Sequence, residues 1–162
     1  MPYQQSDESL RLSVERYQQR IFALALYLVG GNREKAYDVA ASSLAEALRT
    51  ASPFETEGIV LVRSASGAIK KSRDINTIPF SDDSDFIDFP PEKRATLRMI
   101  RTALQALPLD ARALLLLRDQ LHLPYKDIAA VLGVSEQSAR IQTTHARVQL
   151  RKEVEEVVSR GG

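Results

Sequence analysis

Apolar residues recur every three or four positions through most of this chain, which is the spacing of amphipathic helices. The first run, Leu10 to Val29, carries Leu10, Val14, Tyr17, Ile21, Leu24 and Leu28 on one stripe. Gly30 and Gly31 end it, because glycine takes the left-handed backbone that closes a helix. Asn32 suits the cap of a second helix reaching about Thr50, with Glu34 in its first turn and Ala36, Val39, Ala40, Ser43, Leu44 and Ala47 on one face. Ser52 and Pro53 close that element. Glu57 to Arg73 admits two readings: Ile59, Val60 and Val62 suit a strand and Gly67 weakens a helix, yet the helix is the preferred one.

The helical period then stops. From Asp74 the chain brings Asp82, Asp83, Asp85, Asp88 and three prolines, the composition of an acidic linker over residues 74–94. An all-α protein of two small helical domains follows, residues 1–73 and 95–162. In the second, Leu97, Ile100, Leu104 and Leu107 form a stripe stopped by Pro108, and Asp110 suits the cap of a helix bearing Ala113, Leu114, Leu117 and Leu121. Pro124 opens a short helix to Leu132, Gly133 turns the chain, and Ser135 caps a last helix from Glu136 towards Val157.

The spacing in residues 125–140 is that of a helix-turn-helix. Ala129 supplies the small residue where two helices cross, Gly133 the turn, Ile128, Leu132 and Val134 a miniature core, and Ala139 the inward contact of the second helix. A helical hairpin that merely packs is the competing reading. Charge favours DNA: between Lys126 and Lys152 stand the cations Lys126, Arg140, Arg147, Arg151 and Lys152 against only Asp127 and Glu136, and phosphates select such a face. With Ala139, Thr143, Ala146 and Leu150 inward, the outward stripe is Arg140, Ile141, Thr144, His145 and Val148, with Gln137 at its start. Arginine reads guanine in bidentate fashion, and Ile141 and the Thr144 methyl suit a thymine methyl. Solvated surface is the plain alternative for Arg140 and Arg147, and a protein contact for Ile141.

Composition removes several classes. The net charge of +1 carries no global nucleic-acid signal, so any basic footprint is local. Without cysteine there are no disulfides, thiolate metal sites or thiol nucleophiles. His122 and His145 have no partners at metal-ligand spacing, Asp82 to Asp85 lacks the glycine and glutamate of a calcium loop, and no phosphate-binding loop occurs, so neither catalysis nor a cofactor is expected. Asp119 and His122 stand three apart and could pair. The longest apolar stretch, Ile21 to Val29, is too short for a bilayer and no secretory signal is evident, so a cytoplasmic protein without a membrane partner is expected.

Residues 107–118, 125–133 and 145–151 resemble the promoter-binding domain of the extracytoplasmic-function sigma factors of bacterial RNA polymerase. More weakly, residues 27–38, with their Gly-Asn turn and acidic helix, are similar to the polymerase-docking segment of that family. The resemblance implies two partners, RNA polymerase core and promoter DNA, with an anti-sigma protein as a third. It places Arg118, Arg140 and Arg147 near the upstream promoter element, while Gln142 and His145 stand where arginines are frequent. It puts Asp38 on the polymerase, with Ala41 and Ser42 in place of the usual glutamine and glutamate. Arg63, Lys70, Lys71 and Arg73 fall at the downstream element, where the usual tryptophan is absent, Ser64 replaces a frequent asparagine and Ala68 a frequent aspartate. Two rivals stay open: a sigma-like decoy that occupies an anti-sigma protein, and a plain helix-turn-helix regulator, which needs a dimer surface.

Overall fold

The computed structural model describes the backbone of residues 2–50, 57–73 and 90–161, and the side chains from residue 15 in the first stretch and 59 in the second. Among these residues every regular element is helical: α1 (Pro2–Leu28), α2 (Arg33–Thr50), α3 (Glu57–Arg73), α4 (Pro91–Ala106), α5 (Leu109–Leu115), α6 (Tyr125–Leu132) and α7 (Glu136–Ser159). The all-α expectation holds. The expected roles of Ser52, Pro53 and the acidic residues from Asp82 to Asp88 fall outside the described residues, as do the side chains of Leu10 and Val14.

Helix α1 starts eight residues before the apolar stripe does, because Pro2 suits a first helical turn and nothing from Tyr3 to Ser9 breaks a helix. Its stripe of Tyr17, Ile21, Leu24 and Leu28 is buried as expected. Asn32 Oδ1 accepts from the Lys35 amide at 2.9 Å, which is the expected cap, and all six residues read as the inner face of α2 are buried.

Helix α3 settles the strand-or-helix ambiguity through its neighbour. Beside the buried Val60, Leu61 and Ile69 its inner face carries small residues, Ser64, Ala65, Ala68 and Ser72. A Cβ at Gly67 would stand 3.3 Å from the Ser43 Cβ, so the glycine that weakens the helix locally is what lets α3 approach α2. Ser64 and Ser72 bury their hydroxyls by donating to the Val60 and Ala68 carbonyls one turn back, at 2.8 and 2.7 Å.

The C-terminal half departs from the sequence reading in several places. Helix α4 begins at Pro91, so the last four residues assigned to the linker are helical, with prolines at its very start where a missing N–H costs nothing. On α4 Ile100 faces solvent while Arg101 and Ala103 are buried, because this helix has a second neighbour in the N-terminal half. Pro108, not Asp110, occupies the cap of α5, and Asp110 sits in the first turn. Residues 116–120 widen into a π-helical turn, in which the Leu121 amide reaches the Leu116 carbonyl at 3.0 Å.

The two halves share one hydrophobic cluster, running from Tyr17 through Ile69 to Leu114, Leu117, Leu121, Ile128 and Ala139, and α3 lies against α6. Polar contacts lock the seam at the end of α1. The buried Arg112 guanidinium donates to the Tyr27 and Leu28 carbonyls at 3.0 and 3.3 Å, Gln105 donates to Tyr27 at 3.0 Å, and Arg20 donates to the Leu121 carbonyl at 2.6 Å. The last carbonyls of a helix lack intrahelical partners and carry partial negative charge, so a buried cation serves there without a carboxylate. Burial lowers the Arg112 pKa from its ordinary value, the mark of a desolvated charge. Among the described residues no helix is long and apolar enough to cross a membrane.

Candidate nucleic-acid interface

Helices α6 and α7 build the expected helix-turn-helix. Pro124 caps α6 rather than entering it. Gly133 closes α6 at φ 68°, where the Val134 amide returns to the Ala129 carbonyl at 3.0 Å. Ser135 Oγ then accepts from the Ser138 amide at 3.0 Å and starts α7. Ile128, Ala129 and Ala139 are buried between the two helices, with Leu132 and Val134 packed beside them. Farther along, Thr143 and Ala146 are also buried, so the outward stripe is the one read from the sequence.

Around that stripe the cations are organised rather than loose. Arg118, on the π-helical turn, lies 4.3 Å from the centroid of the Tyr125 ring, and Arg140, on α7, lies 5.0 Å from it. Arg118 also donates to the Leu123 carbonyl at 3.0 Å, and Arg140 to Glu136 at 3.1 Å. Arg147 pairs with Asp119 at 2.8 Å, so Asp119 turns to this arginine instead of His122. That hydrogen bond, with a smaller contribution from Tyr125, raises the Arg147 pKa. Lys126, Gln137, Thr144 and His145 are exposed, and so are Ile141 and Val148, at 50% and 43%. Sequence reasoning missed Tyr125 and Asp119. Glu136 with Arg140 is a legible four-residue spacing, whereas Arg147 finds Asp119 across 28 residues, which no local pattern announces.

In the N-terminal half the expected basic surface is dispersed. Arg63 turns to the Thr50 carbonyl at 3.3 Å, Lys71 pairs with Glu46 at 2.8 Å, and Arg73 crosses to Asp110 at 3.0 Å, while Lys70 stays exposed. Lys71, by hydrogen bond and by charge, lowers the Glu46 pKa. Asp38 and Ser42 are exposed on α2, and Ala41 lines an apolar groove of about 260 Å³ with Gln18, Gln19, Phe22, Tyr37 and Ala40. Among the described residues no group of His, Asp or Glu is arranged to hold a metal ion.

A helical fold with an outward-facing second helix and cations gathered beside it defines a helix-turn-helix protein. Residues 97–150 match the family described as sigma-70, region 4. Among solved structures the chain is similar to the sigma factor RpoE of Bartonella quintana, seen in complex with the anti-sigma factor NepR. The TM-score is 0.66 at 16% identity, over 93% of this chain and 97% of that one. Among curated proteins nothing matches. The family match covers residues 97–150, the helix-turn-helix and the helices before it, and the likeness to the sigma factor structure is one of fold over nearly the whole chain.

Proposed function

We propose that this chain directs transcription initiation in the cytoplasm by binding, without catalysis of its own, the RNA polymerase core through its N-terminal half and promoter DNA through α7. The carrying observation is the region 4 helix-turn-helix whose outward stripe runs beside Arg118, Arg140 and Arg147. On this reading Arg140, Ile141, Thr144 and His145 meet base edges, with Gln137 at the entry to the groove, and Lys126, Arg118 and Arg147 meet phosphates. Ala41 lines the apolar groove offered to polymerase, Asp38 and Ser42 are exposed on the same helix, and Lys70 is the most available cation for the downstream element.

The test is reconstitution. The full chain is mixed with core polymerase and a library of promoter fragments, and run-off transcripts are sequenced; transcripts that start at a shared pair of elements support the reading. Capture of core polymerase with no transcript from any fragment would leave docking but remove initiation.

A sigma-like decoy is the second reading, favoured by the pairing of Arg140 with Glu136 and Arg147 with Asp119 beside exposed Ile141 and Val148. The similar RpoE binds an anti-sigma factor. On the decoy reading the same face takes an anti-sigma helix, and the chain captures that protein while ignoring core polymerase.

A further inference from the structure

The arginines beside α7 sit on different elements, yet one side chain joins two of them. Tyr125 is the first residue of α6 and is half-buried, packed on the shared core. Its ring carries the Arg118 guanidinium at 4.3 Å and the Arg140 guanidinium at 5.0 Å, within the reach over which a cation is attracted to an aromatic face. Two like charges in one place repel, and an aromatic ring that both approach, with its negative π-system, offsets part of that repulsion. Each arginine has one further anchor, the Leu123 carbonyl or the Glu136 carboxylate, and a guanidinium with five N–H donors keeps others for a ligand.

We propose that Tyr125 is a positioning residue for DNA binding: its ring pre-arranges Arg118 and Arg140 as one cationic pair, so that the two engage adjacent groups of the DNA backbone and groove as a unit. This rests on the DNA-binding reading above. Long arginine side chains lose rotamer freedom when they bind, and a ring that already holds them removes part of that cost from the binding step. The ring, not the hydroxyl, performs this role for Arg118 and Arg140.

The experiment uses the full chain and duplexes enriched from a random pool by the unaltered protein, with affinity measured across salt and thermal midpoints recorded in parallel. Tyr125→Phe keeps the ring and is expected to retain the coupling between Arg118 and Arg140 that Tyr125→Leu loses. Tyr125→Leu keeps apolar bulk but no π face, and is expected to bind roughly three- to tenfold more weakly. That loss is expected to shrink when Arg140→Ala is already present, which a merely structural role would not produce. Should Tyr125→Leu not fold, Arg118→Gln and Arg140→Gln on the Tyr125 chain decide instead. Guanidiniums sharing a ring give coupled losses, and independent ones give additive losses that overturn the proposal. If Arg140→Ala weakens binding and Tyr125→Leu does not, positioning by the ring is wrong while DNA binding stands. If no duplex is enriched, or Arg140→Ala and Arg147→Ala are both indifferent at every salt concentration, the DNA-binding reading itself fails.

Discussion

The two halves of this molecule both carry cations near their surface and use them in opposite ways. In the N-terminal half Arg63 and Lys71 bend back onto α2 and Arg73 spans the seam, so the basic run at the end of α3 is spread over three directions. In the C-terminal half Arg118 and Arg140, distant in sequence, meet on one ring. The cores differ in parallel. Helices α2 and α3 meet at alanine, serine and glycine, which brings their backbones together, whereas α5 and the π-helical turn after it bury a run of leucines from Leu114 to Leu117. Counting lysines and arginines says how much charge a segment has; the scaffold beneath decides whether that charge becomes a surface for phosphate.

The contrast in cores is tested most severely at Leu117, which is fully buried. Leu117→Ala is expected to cost about 2–5 kcal/mol in urea unfolding, since it leaves a cavity among leucines that cannot all close on it. Gly67→Val is the matching change in the other half, and is expected to cost about 1–3 kcal/mol by forcing α3 off Ser43, with a loss of helix content below the main transition. The seam is tested by Arg112→Met, which keeps the apolar stem and removes the donors to Tyr27 and Leu28. Leaving the Leu28 carbonyl without this donor and the Tyr27 carbonyl to Gln105 alone is expected to cost about 1–3 kcal/mol, with faster hydrogen exchange near residues 105–112 than in α2.

The contrast in charges gives smaller effects. Arg147→Ala is expected to lower the salt slope of DNA binding by about one unit without changing base preference, as a phosphate contact does. Its effect on stability is expected to stay within about 0.5 kcal/mol, because the pair with Asp119 is exposed. Smallest is the pair of Lys71 with Glu46. The Glu46 carboxyl titrates lower in the folded chain than in the unfolded one, so its contribution is present at neutral pH and is lost as pH falls through its folded value. The stability difference between the unaltered chain and Lys71→Met is therefore expected to narrow in acid titrations below about pH 4.

What could be read beforehand was local. The inner face of α2, the Asn32 and Ser135 caps and the Ala129-Gly133-Ala139 spacing follow from periodicity and backbone chemistry within a few residues, and each stands in the structure as read. The segment 57–73 was ambiguous because the reason for Gly67 is a serine on another helix. On α4 the burial of Arg101 has no local signal because its neighbours lie across the seam, and Ile100, expected on the inner stripe, is exposed. The candidate DNA cations were legible as residue types, but Tyr125 joins them through space, with Arg118 arriving from a π-helical turn that no periodic pattern encodes.

The way Arg112 closes the end of α1 has a consequence for how this chain can change over generations. Its acceptors are main-chain oxygens of residues 27 and 28, which every amino acid supplies. Substitutions at those two positions alter the surrounding packing but cannot erase the oxygens that the guanidinium grips. The genetic exposure of this joint is therefore lopsided: the N-terminal partner can drift in side-chain identity, while the joint is inherited or lost through codon 112 and, to a lesser degree, codon 105.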